Sequence, residues 1–592
     1  MTFGDDFMNT HYTDEKNTLI TMALLKAHGI KKVIASPGTT NIRLVASMQQ
    51  DPFFEMYSAA DERSAAYIAC GLAYESGEPV VLTCTGATAS RNYVPGLTEA
   101  FYRKLPVLAI TSTQHLGRIG QNVAQVIDRS VHMNDTVRLS VQIPTCYTKE
   151  DEWAANVQIN RAILELTRAG GGPAHINLET TYSSNFSVEN LPEARAIFRI
   201  GYTDTFPSLP EGRIGIFVGA HKKWSNELTN AVDAFCAAHD AVVLCDQTSN
   251  YRGKYRVLFS LVTSQDKYCA KCNDFDLIIH IGDISGAYPC FASREEWRVN
   301  PDGEIRDTFN HLKYVFEMDE AAFFQRYSEQ DKSDEPKDAF FHEWESEYRN
   351  MYSAIKELPF SNIYIAKTMS ACIPENSILH LGILNTLRSW NFFETPKSVE
   401  IASNTGGFGI DGIMSSAIGA ALGSAGKPVF CIVGDLAFFY DMNSLGNHNV
   451  PSNIRIMLLN NGRGTEFRNY NHPGAMFGDD ADEFIAAANH YGAKSKELAM
   501  HYATDLGFEY LSACDKSSFE EGLKKFIDLG YTDKPMVFEV FLNWEDESNA
   551  LNIIRNTVVD ADLEIRQKVK GLIKGIIGQG GVDTIKKITG RK

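Results

Sequence analysis

Short apolar runs that end in glycine- or proline-bearing turns, alternating with helix-periodic segments, constrain this chain more than any other feature. Asn17 to His28 has helical periodicity and stops at Gly29, placed as a C-cap. Lys32 to Ser36 (KVIAS) then runs directly into Pro37-Gly38. The pattern repeats as helix near Ile42–Gln49, strand near Phe54–Ser58, helix Asp61–Ser76, strand Pro79–Thr83, helix Tyr93–Arg103 and strand Val107–Thr111. Strands that alternate with helices at this spacing predict a parallel sheet covered on both faces.

The alternation resumes twice. Residues 191–210 hold three prolines and read as a linker, after which GRIGIFVGA, AVVLCD and DLIIHIGD are strand-like. The charged stretch 328–337 reads as a surface loop, and a third unit starts near Ile363 with SILHLG, a glycine-rich turn at 404–412, PVFCIVGD and IRIMLLNNG. The expectation is an α/β chain of three doubly wound parallel-sheet domains, 1–190, 191–360 and 361–550, with a basic helical tail over 551–592. A length of 592 residues accommodates this at about 150 residues per domain. From Val558 onward the tail is either a surface helix or a basic amphipathic segment that touches a membrane or a partner.

Acidic residues outnumber basic ones, 74 to 56, for a net charge of −18, which argues against nucleic acid as the main partner. The 11 cysteines are scattered, and the one close pair, Cys269 and Cys272, lacks the second pair a zinc ribbon needs, so they read as reduced thiols. The N-terminal stretch has no signal-like apolar run and no segment reaches about 18 apolar residues, so a cytoplasmic location is expected.

The chemistry-bearing residues cluster in the third and first units. Gly434-Asp435 ends one strand, and 24 residues separate it from Asn460-Asn461 at the end of the next. Ligands of parallel sheets bind beyond the carboxyl ends of strands, and a carboxylate with an amide oxygen there suits a hard divalent cation, usually Mg²⁺. The backbone carbonyl of Arg463 would complete the protein's ligands. The glycines of SNTGGFGIDG allow close backbone approach ahead of a helix N-terminus, yet do not form the dinucleotide fingerprint. In the first unit, Asp61-Glu62 opens a helix, where an acid is by itself only a favourable dipole partner.

Taken together, DERSAAYIACGLAYESG, CTGATASRNYVPGLTEA and GD(x24)NN resemble the thiamine-diphosphate-dependent enzyme superfamily. Within it, Ser36-Pro37-Gly38, DERSA and GIDGIMSSAIG most resemble the menaquinone-pathway synthases of 2-succinyl-5-enolpyruvyl-6-hydroxy-3-cyclohexene-1-carboxylate (SEPHCHC). The likeness spans about residues 15–190 and 365–545. It implies a pyrimidine-binding, a central and a diphosphate-binding domain, and a site shared between two subunits, hence a homodimer or homotetramer. By the same likeness Glu62 would hydrogen-bond the aminopyrimidine ring and promote the tautomer that activates the thiazolium carbon. Asp435, Asn461 and the Arg463 carbonyl would hold Mg²⁺ on the diphosphate. Gly38, Gly434 and Leu436 would line the cofactor, and Ile410 would prop it into its bent shape. IGQNVAQVID resembles a segment of acetohydroxyacid synthases, making Gln125 a candidate active-site amide, with Gln121 as runner-up.

The departures fall where substrate would bind. Thr39-Thr40 follow the SPG where the synthases have Ser-Arg, Thr405 replaces the arginine of an SN-Arg-G segment, and Asn385-Thr386 is kept while Trp390 stands for an arginine. Threonine and tryptophan cannot pair a carboxylate bidentately; Arg388 and Arg463 are the remaining cations that could take over. The resemblance therefore implies a thiamine-diphosphate- and Mg²⁺-dependent decarboxylase or carboligase acting on a 2-oxo acid, whose enamine is protonated or adds to a less anionic acceptor such as an aldehyde or keto-sugar. The alternatives are a genuine SEPHCHC synthase using 2-oxoglutarate and isochorismate, a silent homologue acting as a binding subunit, and a nicotinamide or flavin oxidoreductase.

Overall fold

The computed structural model describes residues 11–329, 337–491 and 494–560. The expected basic tail lies, from residue 561 on, outside the described residues, as does most of the charged loop 328–337. The described residues of Met1–Phe206, Glu296–Arg298 and Asp302–Glu317 pack as one unit, and those of Pro207–Glu295, Val299–Pro301 and Met318–Lys592 as another.

In the first unit β1 (Lys32–Ala35), β2 (Glu55–Ser58), β3 (Val80–Cys84), β4 (Val107–Thr113), β5 (Leu139–Ile143) and β6 (Ala174–Glu179) form a parallel sheet in the order β2-β1-β3-β4-β6-β5. β3 and β4 are buried along their whole length, which explains their unbroken apolar runs. The helix Glu62–Ser76 starts where the side chain of Asp61 accepts from Arg63 N–H and ends at Gly77, whose φ is +66°. Its alanines Ala65, Ala66, Ala69 and Ala73 face inward. A Cβ on Gly96, in the helix Val94–Arg103, would lie 2.4 Å from Ala66 Cβ, so these two helices touch at a site with room only for hydrogen.

The stretch expected as a linker contains β7 (Phe198–Ile200), a three-residue strand only partly buried, too short to show a period in sequence. The second unit has β8 (Ile214–Val218), β9 (Ala241–Cys245), β10 (Arg256–Leu258) and β11 (Asp274–Ile281), parallel in the order β10-β9-β8-β11; the strand that follows in the chain, β12 (Ala292–Val299), has residues in both units. β13 (Leu312–Phe316), in the first unit, pairs with β7 in parallel. The second unit also holds β14 (Ile378–Leu381), β15 (Glu400–Ala402), β16 (Val429–Gly434), β17 (Ile454–Asn460), β18 (Glu509–Ala513) and β19 (Met536–Phe541). Their order is β15-β14-β16-β17-β19-β18, with every neighbouring pair parallel.

Three parallel sheets thus recur, and all eleven cysteines are free thiols. Among the described residues, no helix is long and apolar enough to cross a membrane.

Candidate active site

In the sheet β15-β14-β16-β17, the chain leaves β14 for β15 on one side and returns to β16 on the other. A crevice opens outside the carboxyl ends at such a reversal, the usual ligand position in α/β sheets. Asp435 follows β16 directly and opens the short helix Asp435–Tyr440. The register pairs Gly434 with Leu459, which puts Asp435 level with Asn460 and Asn461 one residue beyond.

The two asparagines have different tasks. Asn460 Nδ2 donates to Glu539 Oε1 at 2.7 Å and belongs to the sheet interior. Asn461 Nδ2 donates to Thr465 Oγ1 at 3.0 Å, while its Oδ1 is buried with no hydrogen-bond partner. Asp435 is 6% exposed; burial pushes its carboxyl up to about 7 against the N–H groups of Leu436, Gly462 and Arg463, the first at 2.8 Å from Oδ1. A buried carboxylate beside an orphaned amide oxygen is a donor set that a hard cation satisfies. No cluster of three His, Cys, Asp or Glu side chains competes for this role among the described residues. The Arg463 carbonyl accepts from Thr465 N–H at 2.9 Å and keeps a second lone pair.

Glu547 escaped the sequence reading. Carried by the helix Trp544–Arg555, it is buried, accepts from Asn362 N–H at 3.1 and 3.2 Å and from Asn385 Nδ2 at 3.3 Å, and is pushed up to about 7 by burial. The nearby Asn461 amide, with those two asparagines, partly offsets that rise. No local spacing announces a carboxylate 162 residues downstream of Asn385, whose amide it accepts from.

Ile410 and Phe408, in the glycine-rich turn, are half-buried against the core of this sheet. The helix Ile413–Gly423 that follows is tied at its first turn by Asp441, which accepts from Ser415 N–H at 2.7 Å and Ser415 Oγ at 2.6 Å. Gly406 and Gly407 face open space. Leu436 reaches within 3.3 Å of where a Gly464 Cβ would sit. Thr405 is buried and its N–H donates to the Ser403 carbonyl. Thr386 is buried, accepting from Asn362 Nδ2 at 3.3 Å, and Trp390 is wholly buried with Nε1 unpartnered. The two cations left open by the sequence are both paired with carboxylates, Arg463 sharing Asp482 with Arg468. Arg388 grips Glu466 bidentately at 2.8 and 2.5 Å, and Arg463 holds both Asp482 oxygens at 2.7 Å beneath the Trp544 ring.

The first unit has its own reversal between β1 and β3. A Cβ on Gly38, after β1, would lie 2.4 Å from Thr85 Cβ, after β3, so the two loops are pressed together. Thr40 is buried with Oγ1 2.6 Å from Thr85 Oγ1 and 3.1 Å from the Ser112 carbonyl, and the Thr39 carbonyl accepts from Arg43 Nη1 at 3.3 Å. Glu62 is half-buried at its helix start and accepts from Asn92 Nδ2 at 3.2 Å. Gln125 is exposed with φ +65°, its carbonyl 3.2 Å from where a Gly86 Cβ would be; Gln121 is exposed. Beside them Arg129, also missed in sequence, is 2% exposed and bonds the Ser112 carbonyl and Asn177 Oδ1, with Nε and Nη1 unpartnered.

A model of the thiamine pyrophosphate enzyme N-terminal TPP binding domain matches residues 19–133, and one of the C-terminal TPP binding domain matches residues 386–540. The 2-succinyl-5-enolpyruvyl-6-hydroxy-3-cyclohexene-1-carboxylate synthase of Phocaeicola vulgatus is 32% identical over 571 residues, covering 91% of this chain and 98% of its own length. The chain belongs to the thiamine-diphosphate-dependent, SEPHCHC-synthase-like enzymes. The synthase of the same name from Bacteroides fragilis is 31% identical over 567 residues with the same coverage. A solved Rhodococcus jostii thiamine diphosphate-dependent 4-hydroxybenzoylformate decarboxylase overlays at TM-score 0.37 and 17% identity, covering 89% of this chain and 99% of its own, too loosely to inform the site. As a member of this family the protein is an enzyme acting on a 2-oxo acid. The relatives carry the synthase name end to end, which favours the synthase alternative over the general decarboxylase–carboligase reading.

Proposed function

We propose that this enzyme decarboxylates 2-oxoglutarate and joins the remaining fragment to isochorismate, as a SEPHCHC synthase. The observation that carries this reading is the 32% likeness running over 98% of a synthase; the buried Asp435 carboxylate and unopposed Asn461 oxygen agree with it. Thiamine diphosphate, when bound, supplies the carbon nucleophile and electron sink that lets carbon dioxide leave. Asp435, Asn461 and the Arg463 carbonyl would hold Mg²⁺, Gly434 and Leu436 would line the diphosphate, and Ile410 would buttress the cofactor. Gly38, pressed against Thr85, would shape the loop beside the cofactor, and Glu62 would accept a hydrogen bond from its ring and move the activating proton. Gln125, Thr39 and Thr40 would be the first unit's candidates for substrate contact, and Thr386, Trp390 and Thr405 the second's.

The domain roles over 1–190, 191–360 and 361–550, a cytoplasmic location and the absence of a nucleic-acid partner belong to the same proposal. So does a homodimer: the outer face of the helix Glu62–Ser76 exposes Tyr67, Ile68 and Tyr74, a stripe suited to a second copy.

A second reading, an acceptor with fewer charges, is favoured by one observation: Arg388 and Arg463 are already neutralised by Glu466 and Asp482. The test is mass spectrometry of products from purified protein with Mg²⁺, thiamine diphosphate, 2-oxoglutarate and isochorismate. The condensed product is expected. Carbon dioxide release without it, and with product from an aldehyde or keto-sugar, would establish the second reading.

A further inference from the structure

The second unit holds a cavity of about 990 Å³ that none of the candidate cofactor residues lines. It lies above the carboxyl ends of β8 and β9, against the edge strand β15. The reversal between β8 and β11 is itself closed. Gly219 N–H donates to the Ile281 carbonyl at 3.0 Å and Asp283 N–H to the Ala220 carbonyl at 2.8 Å, and a Cβ on Gly219 would strike the Asp283 carbonyl. The opening is thereby displaced toward β9, where Thr248, Asn250 and Arg252 follow the strand.

Its walls are fixed. The Asn250 amide caps the open edge of β15, with Nδ2 donating to the Ile401 carbonyl at 2.7 Å and Oδ1 accepting from Ile401 N–H at 2.9 Å. Arg252 Nη2 donates to the Val399 carbonyl at 2.8 Å, and Trp224 Nε1 to the Ser249 carbonyl at 2.8 Å.

Its charge is opposite to that of the molecule. Lys222, Lys223, Arg252, Lys397 and Lys427 line it against one carboxylate, Glu400, in a chain whose net charge is −18. Glu400 is taken by Lys223 at 2.7 Å and Lys427 at 3.0 Å. Among the described residues Arg252, Lys222 and Lys397 have no carboxylate within ion-pair distance, and Arg252 Nε is buried with no acceptor. Burial and the nearby Arg256 lower the Arg252 guanidinium to about 9 against the pull of Glu394, whose carboxylate is itself paired with Arg256 at 3.1 Å. A half-desolvated guanidinium with no carboxylate paired to it, in a rigid cavity of ligand size, is a site that an anion stabilises.

We propose that this cavity binds a small organic polyanion, with two or more phosphate or carboxylate charges, at a site separate from the thiamine diphosphate site. Arg252 is its anchor, and Lys222 and Lys397 meet its outer charges. The proposal does not depend on which acceptor the enzyme uses.

Isothermal titration of the holoenzyme, saturated with thiamine diphosphate and excess Mg²⁺, with inorganic pyrophosphate tests this. A parallel titration with tricarballylate distinguishes phosphate from carboxylate. Saturable binding of either probe is expected, weakened about tenfold or more in Arg252→Gln and in the Lys222→Ala/Lys397→Ala double variant. The double variant leaves the Val399 contact intact, so it reads the charge even if Arg252→Gln is poorly folded. No binding of either probe would overturn the proposal, as would binding that survives the double variant or disappears when thiamine diphosphate saturates the protein.

Discussion

Replacing Gly96 by alanine should disable the enzyme through a single methyl group placed away from the candidate chemistry. The new Cβ would lie 2.4 Å from Ala66 Cβ, 2.9 Å from Ala66 C and 3.2 Å from Ala66 Cα. Carbon atoms pack at about 3.5–4.0 Å, so the helix Glu62–Ser76 must retreat by roughly 1 Å. Overpacking of this kind costs about 1–3 kcal/mol. Ala66 sits one turn from Glu62, so the carboxylate moves with the helix, and a displacement near 1 Å can lower turnover by about 10²-fold. Thermal unfolding and steady-state turnover of Gly96→Ala, Ala66→Gly and the double variant form the assay. Ala66→Gly alone costs roughly 0.5–1 kcal/mol of helix stability but removes the 2.4 Å contact and leaves the 2.9 Å one to the Ala66 backbone, so the double variant should regain part of the lost turnover and not all of it. A single variant with wild-type melting and turnover, or a double variant no better than Gly96→Ala, would refute the reasoning.

Glu62→Gln should lower turnover by about 10²–10⁴-fold, and thiamine diphosphate affinity in equilibrium binding should change only a few-fold; retained turnover would remove the proton-transfer role. Chelation of divalent metal should release thiamine diphosphate from the wild type, with Mg²⁺ restoring it, whereas Asp435→Ala should not recover on Mg²⁺ addition. Cofactor retention after chelation would detach Asp435 and Asn461 from metal binding. His380 is 7% exposed and burial holds its imidazole at about 4, so between its ordinary value of 6.5 and 4 the unfolded chain binds a proton that the folded chain does not. Stability should therefore fall as pH drops below about 6.5, by about 3 kcal/mol once below 4, and His380→Gln should flatten that slope in denaturant titrations; an unchanged slope would contradict the burial argument.

The sheets were legible because their central strands are buried on both faces. Val80–Cys84 and Ile454–Asn460 read as unbroken apolar runs for that reason. β7 was not, since three half-buried residues show no period. The helix expected over Tyr93–Arg103 is present as Val94–Arg103, with Pro95 in its first turn, while the short helix Thr88–Asn92 before it was not legible. The Asp435–Asn461 spacing reflects two adjacent parallel strands of one sheet, a local regularity that survives in sequence. Glu547, Asp441 and Arg129 lack such a signature, because their partners are set by how distant segments pack. The same holds for the pairing of Arg388 with Glu466, 78 residues on, which makes an arginine that looks available in sequence a neutralised one in the fold.

The most direct test of the central claim is release of labelled carbon dioxide from 2-oxoglutarate labelled at its 1-carboxylate, by the purified protein with Mg²⁺ and thiamine diphosphate, with isochorismate present or omitted and Glu62→Gln as the blank. The account predicts release that requires the cofactor, rises with isochorismate and vanishes in the blank. Bound thiamine diphosphate with no release from 2-oxoglutarate under either condition would contradict it.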